Sequence, residues 1–465
     1  MTTILERPVG GEQVAVPRLS ALLVLLSGTF ITTLDFFIVN VAIPATQRDL
    51  RAGPAMTQFV VAGFGLALAA GLITGGRLGD LYGRRRMFVL GLGLFTLASL
   101  ACGLAPGARF LVGARVAQGA AAALLTPQVL AIVNTAYTGA HRARAFNLYG
   151  LAMGFGGVFG QLIGGLLIRA DIAGLGWRAV FLINVPVGLV AVPAAYRTVP
   201  ESRAANGARL DVLGTLLVST GLVLIVLPLV EGQQQGWPLW TWLCLGAAPA
   251  VLAGFAAYQR RIGGRALIDL DLFRHRAFSV GAMIALVGQM AVASFFFVLA
   301  LYLQQGRGMS PLESGLVFLA LGAGYFVSSS RAAQVAARLG RQVLAVGALT
   351  LAAGYGLLAV VATGIGGTAG LVPGLLVAGC GMGLVMAPLP ATALTGVEPR
   401  HAASAAGVIS TSLQAGGAIG IAVIGVVFYG VLGTGHFTAA FGVSLAVMAA
   451  FCAASAGLVQ LLPRG

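Results

Sequence analysis

Lysine is missing from this sequence altogether: all 28 basic residues among its 465 are arginine. Charge of either sign is scarce, at 9% of residues where an ordinary soluble domain carries about 25%. Acidic residues number only 13, while 58% of the chain is hydrophobic. Few water-soluble folds could hide that much apolar surface, so the composition argues for an all-α polytopic membrane protein in a lipid bilayer. The lack of lysine, with abundant Ala, Gly and Leu, fits a GC-rich genome and is codon bias before it is function. Cysteine is rare as well. Cys102, Cys244, Cys380 and Cys452 lie far apart in apolar runs without metal spacing, and are expected to be free thiols. His141, His275, His401 and His436 sit at the ends of such runs, again without metal spacing. There is no Walker phosphate loop and no catalytic set, so no direct use of ATP, no cofactor, no metal and no enzyme activity are expected. A net charge of +15 would suggest a nucleic-acid partner in a soluble protein. Here the arginines fall between apolar runs, which makes membrane topology the better explanation and leaves no nucleic-acid partner expected.

What is present is apolar sequence, in 14 runs near the length a helix needs to span a bilayer. With the amino terminus placed in the cytoplasm, the outer loops hold only Arg48, Arg51, Arg109, Arg169, Arg178 and Arg307. Apart from Arg115, which falls inside a span, every other arginine is cytoplasmic, and such a bias orients the chain. Adding or removing one span would reverse it for all later loops. Trp177, Trp237, Trp240 and Trp242 fall at outer span ends, as an interfacial belt would. The chain also repeats: His141, Gly156, Gly157, Gly160 and Gly165 match His401, Gly416, Gly417, Gly420 and Gly425 at one constant offset, and Gly83-Arg84 is echoed by Gly340-Arg341. Two duplicated six-span halves are expected. The predicted organisation is a cytoplasmic tail at 1–18, a first half at 19–199, linkers with two extra spans at 200–276, a second half at 277–461, and a cytoplasmic end at 462–465.

The second and third spans are joined by Gly76-Arg77-Leu78-Gly79-Asp80-Leu81-Tyr82-Gly83-Arg84-Arg85-Arg86. A hinge this short makes the two helices antiparallel neighbours, and its glycines allow close turns. Read from charge alone it is a solvated basic loop that sets topology. Its pattern closely resembles the signature loop of the major facilitator superfamily. That resemblance implies two six-helix halves around a central site, with Gly76, Asp80, Gly83, Arg84 and Arg85 as a gating loop whose charges pair across the cytoplasmic face.

Asp35 is the one carboxylate deep in an apolar run. An ionised Asp there costs about 2.5–3.5 kcal/mol on insertion scales, so proton binding can be linked to conformation; an Asp paired for packing alone is the plainer alternative. The run Leu34 to Pro44 is similar to the first-span motif of the fourteen-span drug:proton antiporters, although Phe37 stands where that family usually has a small hydroxyl residue. Arg115, Gln118 and Gly119 resemble the superfamily's fourth-span motif, in which the arginine is implicated in proton transfer; an arginine that only organises backbone carbonyls is the alternative. Gly156, Gly160 and Gly164 share one face of the fifth span, open to close approach by another helix. With Gly165 they resemble the antiporter motif, except that Gln161 replaces its proline and removes an expected helix distortion. Trp177-Arg178 through Pro186, and Leu267-Ile268-Asp269 through Phe278, resemble further segments of the fourteen-span group.

The resemblance implies a bacterial inner-membrane exporter that exchanges protons for a small lipophilic drug or antibiotic, and since both halves lie in one chain a monomer suffices. A proton-coupled importer of a small organic solute is the alternative. A receptor would need a sizeable soluble domain or long loop, and a channel would not need duplicated halves. Asn40, Gln118, Gln289, Phe296 and Gln414 are the candidate substrate contacts, with Gln58 and Tyr325 as further polar or aromatic positions. Since Asp35 is the only deep acid, a mostly apolar, neutral or weakly charged substrate is expected.

Overall fold

The computed structural model describes residues 19–203, 210–263, 268, 270–362, 367–394, 402–433 and 435–463. The predicted tail at 1–18, Leu267, Asp269, His401 and residues 464–465 lie outside the described residues. Among those described, the regular structure is entirely helical, and 14 helices are long and apolar enough to cross a membrane.

The first half comprises α1 (Leu19–Leu50), α2 (Pro54–Tyr82), α3 (Arg84–Gly103), α4 (Ala108–Ala136), α5 (Gly139–Ala170) and α6 (Asn184–Thr198). Then come α7 (Val212–Gly232) and α8 (Leu239–Ile262). The second half comprises α9 (Arg276–Leu301), α10 (Pro311–Leu339), α11 (Gln342–Ala362), α12 (Leu371–Met386), α13 (Ala402–Leu432) and α14 (Phe437–Val459). The outward faces carry large apolar side chains such as Leu97, Leu189, Val190 and Leu243, which suits contact with lipid.

The halves meet along two seams, α2 against α13 and α5 against α10. Both depend on glycine. At α2/α13, a Cβ on Gly425 would run into the Gln58 amide; at α5/α10, one on Gly165 would meet the Pro311–Leu312 backbone. Removing side chains lets backbones approach in lipid, where dispersion rather than hydrophobic burial holds helices together. The inserted pair packs beside the first seam, with α7 touching both α2 and α13. The Thr74 and Thr215 hydroxyls share a 2.6 Å hydrogen bond there. Asp211 caps α7 by accepting from the Gly214 amide at 2.7 Å and takes the Gln259 amide of α8 at 2.6 Å. The Gln259 carbonyl in turn accepts from the Ile268 backbone N–H at 3.1 Å.

Candidate functional site

Asp35 sits midway along α1 with no solvent exposure. Its carboxylate is bonded by groups from two other helices. Arg115 Nη1 of α4 donates to Oδ2 in a fully buried ion pair. Gln118 Nε2 of α4 and Asn184 Nδ2 of α6 each donate to Oδ1 at 2.8 Å. Arg115 and Gln118 are three residues apart on one helix, which turns both toward α1. Ser99 Oγ of α3 accepts from Gln118 Nε2 at 2.7 Å and from Asn184 Nδ2 at 3.3 Å. Arg115 is fixed further by Nε donating to the Val60 carbonyl of α2 at 2.9 Å, and by Nη1 donating to Gln118 Oε1 at 2.7 Å. Its guanidinium lies 4.4 Å from the Phe64 ring centroid and 5.7 Å from that of Phe181. Such a pair is stable in a dry interior only when its remaining hydrogen-bond positions are largely filled. Here the Gln118 and Asn184 side chains and the Val60 carbonyl fill most of them, though Arg115 Nη2 and Asn184 Oδ1 remain buried without a partner among the described residues. The ion pair thus ties α1 to α4 inside the bundle.

Of this cluster, Asp35, Arg115 and Gln118 were legible from sequence, but Gln118 belongs to the charge cluster rather than to an open substrate surface. Ser99 and Asn184 were not singled out for this role. Asn184 carried a signal, as an amide inside an apolar run; Ser99 did not, being a small residue among small residues.

The α2–α3 loop is a single residue, Gly83, with φ +109°. Asp80 accepts from Arg84 Nη2 at 2.9 Å, an i, i+4 pair across the turn. Arg85 turns instead toward Glu201: its backbone N–H donates to Oε1 at 3.1 Å, and its Nε stands 3.7 Å from Oε2. Glu201 thus lies at the amino end of α3, where backbone N–H groups and the helix dipole favour a carboxylate. Gly76 has room beside it, 3.7 Å from Pro127 to a Cβ built there, whereas Gly75 and Gly79 are the glycines that α4 presses on. Gln128 of α4 donates to the Gly75 carbonyl at 2.7 Å. Gly83→Ala combines a left-handed φ with a Cβ only 2.7 Å from Glu201 Oε1. The strained backbone alone costs about 1–3 kcal/mol. The variant should melt several degrees lower in detergent by thermal-shift assay, and an unchanged midpoint would contradict this account of the loop.

On α5, Gly156, Gly160 and Gly164 all face α1: Cβ atoms there would meet the backbone near Phe30 and Leu34 at 3.0 Å, the Leu34 carbonyl at 3.4 Å, and Val41 Cγ1 at 2.5 Å. Gln161 is buried, and its Nε2 donates to the Phe37 carbonyl at 2.7 Å. Of the remaining substrate candidates, Asn40 and Phe296 meet at Phe37, while Gln289 and Gln414 lie elsewhere. Asn40 is buried and donates to that same Phe37 carbonyl at 3.0 Å. Phe296 lies across the halves, 4.7 Å from the Phe37 ring. Gln289 and Gln414 are half-buried on α9 and α13, near Gly417 and Gly65 respectively, two glycines that both neighbour Phe36.

At the end opposite the Gly83 loop, α9 finishes in a π turn, Tyr302–Gly306. Two glutamines of this turn reach the other half. Gln304 donates to the Val41 carbonyl at 3.0 Å and Gln305 to Gln47 Oε1 at 2.5 Å. Asp49 of α1 also lies at this end, accepting from Trp177 Nε1 at 2.9 Å and Arg178 Nη1 at 2.6 Å.

The sequence profile of the Major Facilitator Superfamily matches residues 25–421. Among similar proteins, the "Probable actinorhodin transporter" of Streptomyces coelicolor is 40% identical over 90% of this chain and 73% of its own length. The "Puromycin resistance protein pur8" of Streptomyces alboniger is 36% identical over 88% of this chain and 81% of its own. For the "Cephamycin export protein CmcT" of Amycolatopsis lactamdurans the values are 34%, 87% and 84%. A crystal structure of a D-xylose-proton symporter superposes with a TM-score of 0.69, covering 96% of this chain and 98% of that one at 15% identity, a likeness of fold alone. A profile match across most of the chain, relatives of this similarity and a membrane bundle of matching fold place the chain in the Major Facilitator Superfamily, as a transporter and not an enzyme.

Proposed function

We propose that this transporter exports a lipophilic, antibiotic-like compound in exchange for protons, working as a monomer in a bacterial plasma membrane with both termini in the cytoplasm. The observation that carries the coupling is the burial of Asp35 against Arg115 at the middle of α1. In this mechanism a proton arriving from outside neutralises Asp35 and weakens the tie between α1 and α4. Arg115 keeps the Val60 carbonyl and Gln118 Oε1 as partners, so it need not leave its site. The freed α1 shifts against α5 and α9, and the balance between inward-open and outward-open states moves with it. The gating-loop charges at Asp80, Arg84 and Arg85 bias that balance from the cytoplasmic side. Export is supported by the relatives, which are named for transport of actinorhodin, resistance to puromycin and export of cephamycin. Import keeps a specific observation in its favour: Gln161 replaces the proline of the antiporter motif, and α5 runs unbroken from Gly139 to Ala170.

The test uses cells stripped of other pumps and a panel of lipophilic dyes and antibiotics, with and without a protonophore. Lower accumulation in expressing cells, restored by the protonophore, is expected; higher accumulation of a solute driven by the proton gradient would establish the importer. Rocking of the halves makes a second expectation. A Gln47→Cys/Gln305→Cys pair, joined by a short bifunctional reagent, should hold the outer ends together and remove nearly all transport. Full activity of the cross-linked protein would contradict alternating access at this contact.

A further inference from the structure

Two side-chain amides in the contact between the halves are half used. Asn40 of α1 and Gln161 of α5 both donate to one acceptor, the Phe37 carbonyl. Among the described residues, Asn40 Oδ1 and Gln161 Oε1 are then left buried without a partner, in residues 2% and 0% exposed. An unfilled buried acceptor is unfavourable, and two of them tied to one carbonyl form a local demand for a donor. Beside them the Phe37 ring meets aromatic surface from the other half. Phe296 lies 4.7 Å away, and Phe318 stacks on Phe296 at 5.4 Å with 18° between the planes. Gln161 is covered by the second half too, since a Cβ on Gly315 of α10 would come within 2.7 Å of its backbone carbonyl.

We infer that Asn40 and Gln161, with the Phe37, Phe296 and Phe318 rings, form a substrate subsite for a flat aromatic compound that carries a hydrogen-bond donor, such as a phenol. As the halves part, the amides and Phe37 stay with the first half while Phe296 and Phe318 leave with the second, which opens a slot walled by rings on both sides and floored by two acceptors. The inference deepens the export reading and rests on it for the ligand being cargo. It also gives the departure from the antiporter motif a purpose, because a proline at 161 could offer no acceptor from its side chain. Asp35 and Phe37 are two residues apart, about 200° around the helix at 100° each. The proton site and the subsite therefore occupy different faces of one helix, and movement of α1 bears on both.

The test compares binding of 1-hydroxypyrene and 1-methoxypyrene to purified protein by fluorescence anisotropy, with protein-free micelles as the blank. One hydrogen bond corresponds to roughly a tenfold preference, so wild type should bind the phenol about ten times more tightly than its methyl ether. Gln161→Met and Asn40→Leu should each shrink that preference toward unity while retaining affinity for the ether. Equal binding of the two probes by wild type, no binding of the phenol, or a preference that survives both substitutions would overturn the inference. The wild-type comparison decides even where a variant fails to fold. Discrimination without export in cells would sink the export reading and leave the subsite; export of the phenol and its ether alike, with equal binding, would do the reverse.

Discussion

Asp35→Asn should abolish uphill export while the protein still inserts in the membrane. The amide is neutral and nearly the same shape, so it is cheaper to insert than an ionised carboxylate. Its oxygen can still accept from Arg115 Nη1. Its nitrogen, however, would face Gln118 Nε2 and Asn184 Nδ2, both donors now at 2.8 Å from Oδ1, so some stability is lost as these amides rearrange. What disappears completely is the proton site. Substrate should equilibrate down its own gradient, and the protonophore should make no difference. The measurement is accumulation of an exported compound at matched expression; accumulation as low as in wild type, raised by the protonophore, would remove Asp35 from the coupling step.

Arg115→Ala is expected to have the largest effect on the fold. It leaves the Asp35 carboxylate buried without its cation, and removing one member of a buried pair costs about 3–5 kcal/mol. It also removes the bond to the Val60 carbonyl and empties the space beside Phe64. Purified protein should be scarce and melt far below wild type. Combining it with Asp35→Asn should recover much of the lost stability, since no unpaired charge remains, but no transport. That non-additivity is the signature of direct coupling. A single variant as stable as wild type, or a double variant that sums the two losses, would show that the pair is not the structural tie described here.

The helical class, the number of spans and the pairing of α2 with α3 were legible because each rests on a local rule: bilayer thickness sets span length, and a short hinge forces antiparallel neighbours. Asp35 and Arg115 were legible because a charge in an apolar run is conspicuous. Their union was not, because sequence gives the position of a residue along its helix but not which neighbour the helix turns it toward. The same limit hid Ser99 and Asn184, brought in from α3 and α6 by packing. The register of α2 against α4 was hidden in the same way, and with it the close approach of α4 at Gly75 and Gly79. Glu201 was silent in the sequence because it is remote from the loop and reaches the start of α3 only through the fold.

The coupling of transport to protons at Asp35 is tested most directly in sealed proteoliposomes of purified protein, with a pH-sensitive dye trapped inside. The compound identified by the cell assay is added to one side with no other driving force. Wild type should move protons in the direction opposite to the compound, and Asp35→Asn should bind the compound without any proton movement. A compound-driven proton flux of equal size in Asp35→Asn, or none in a wild-type protein that transports the compound, would contradict the account.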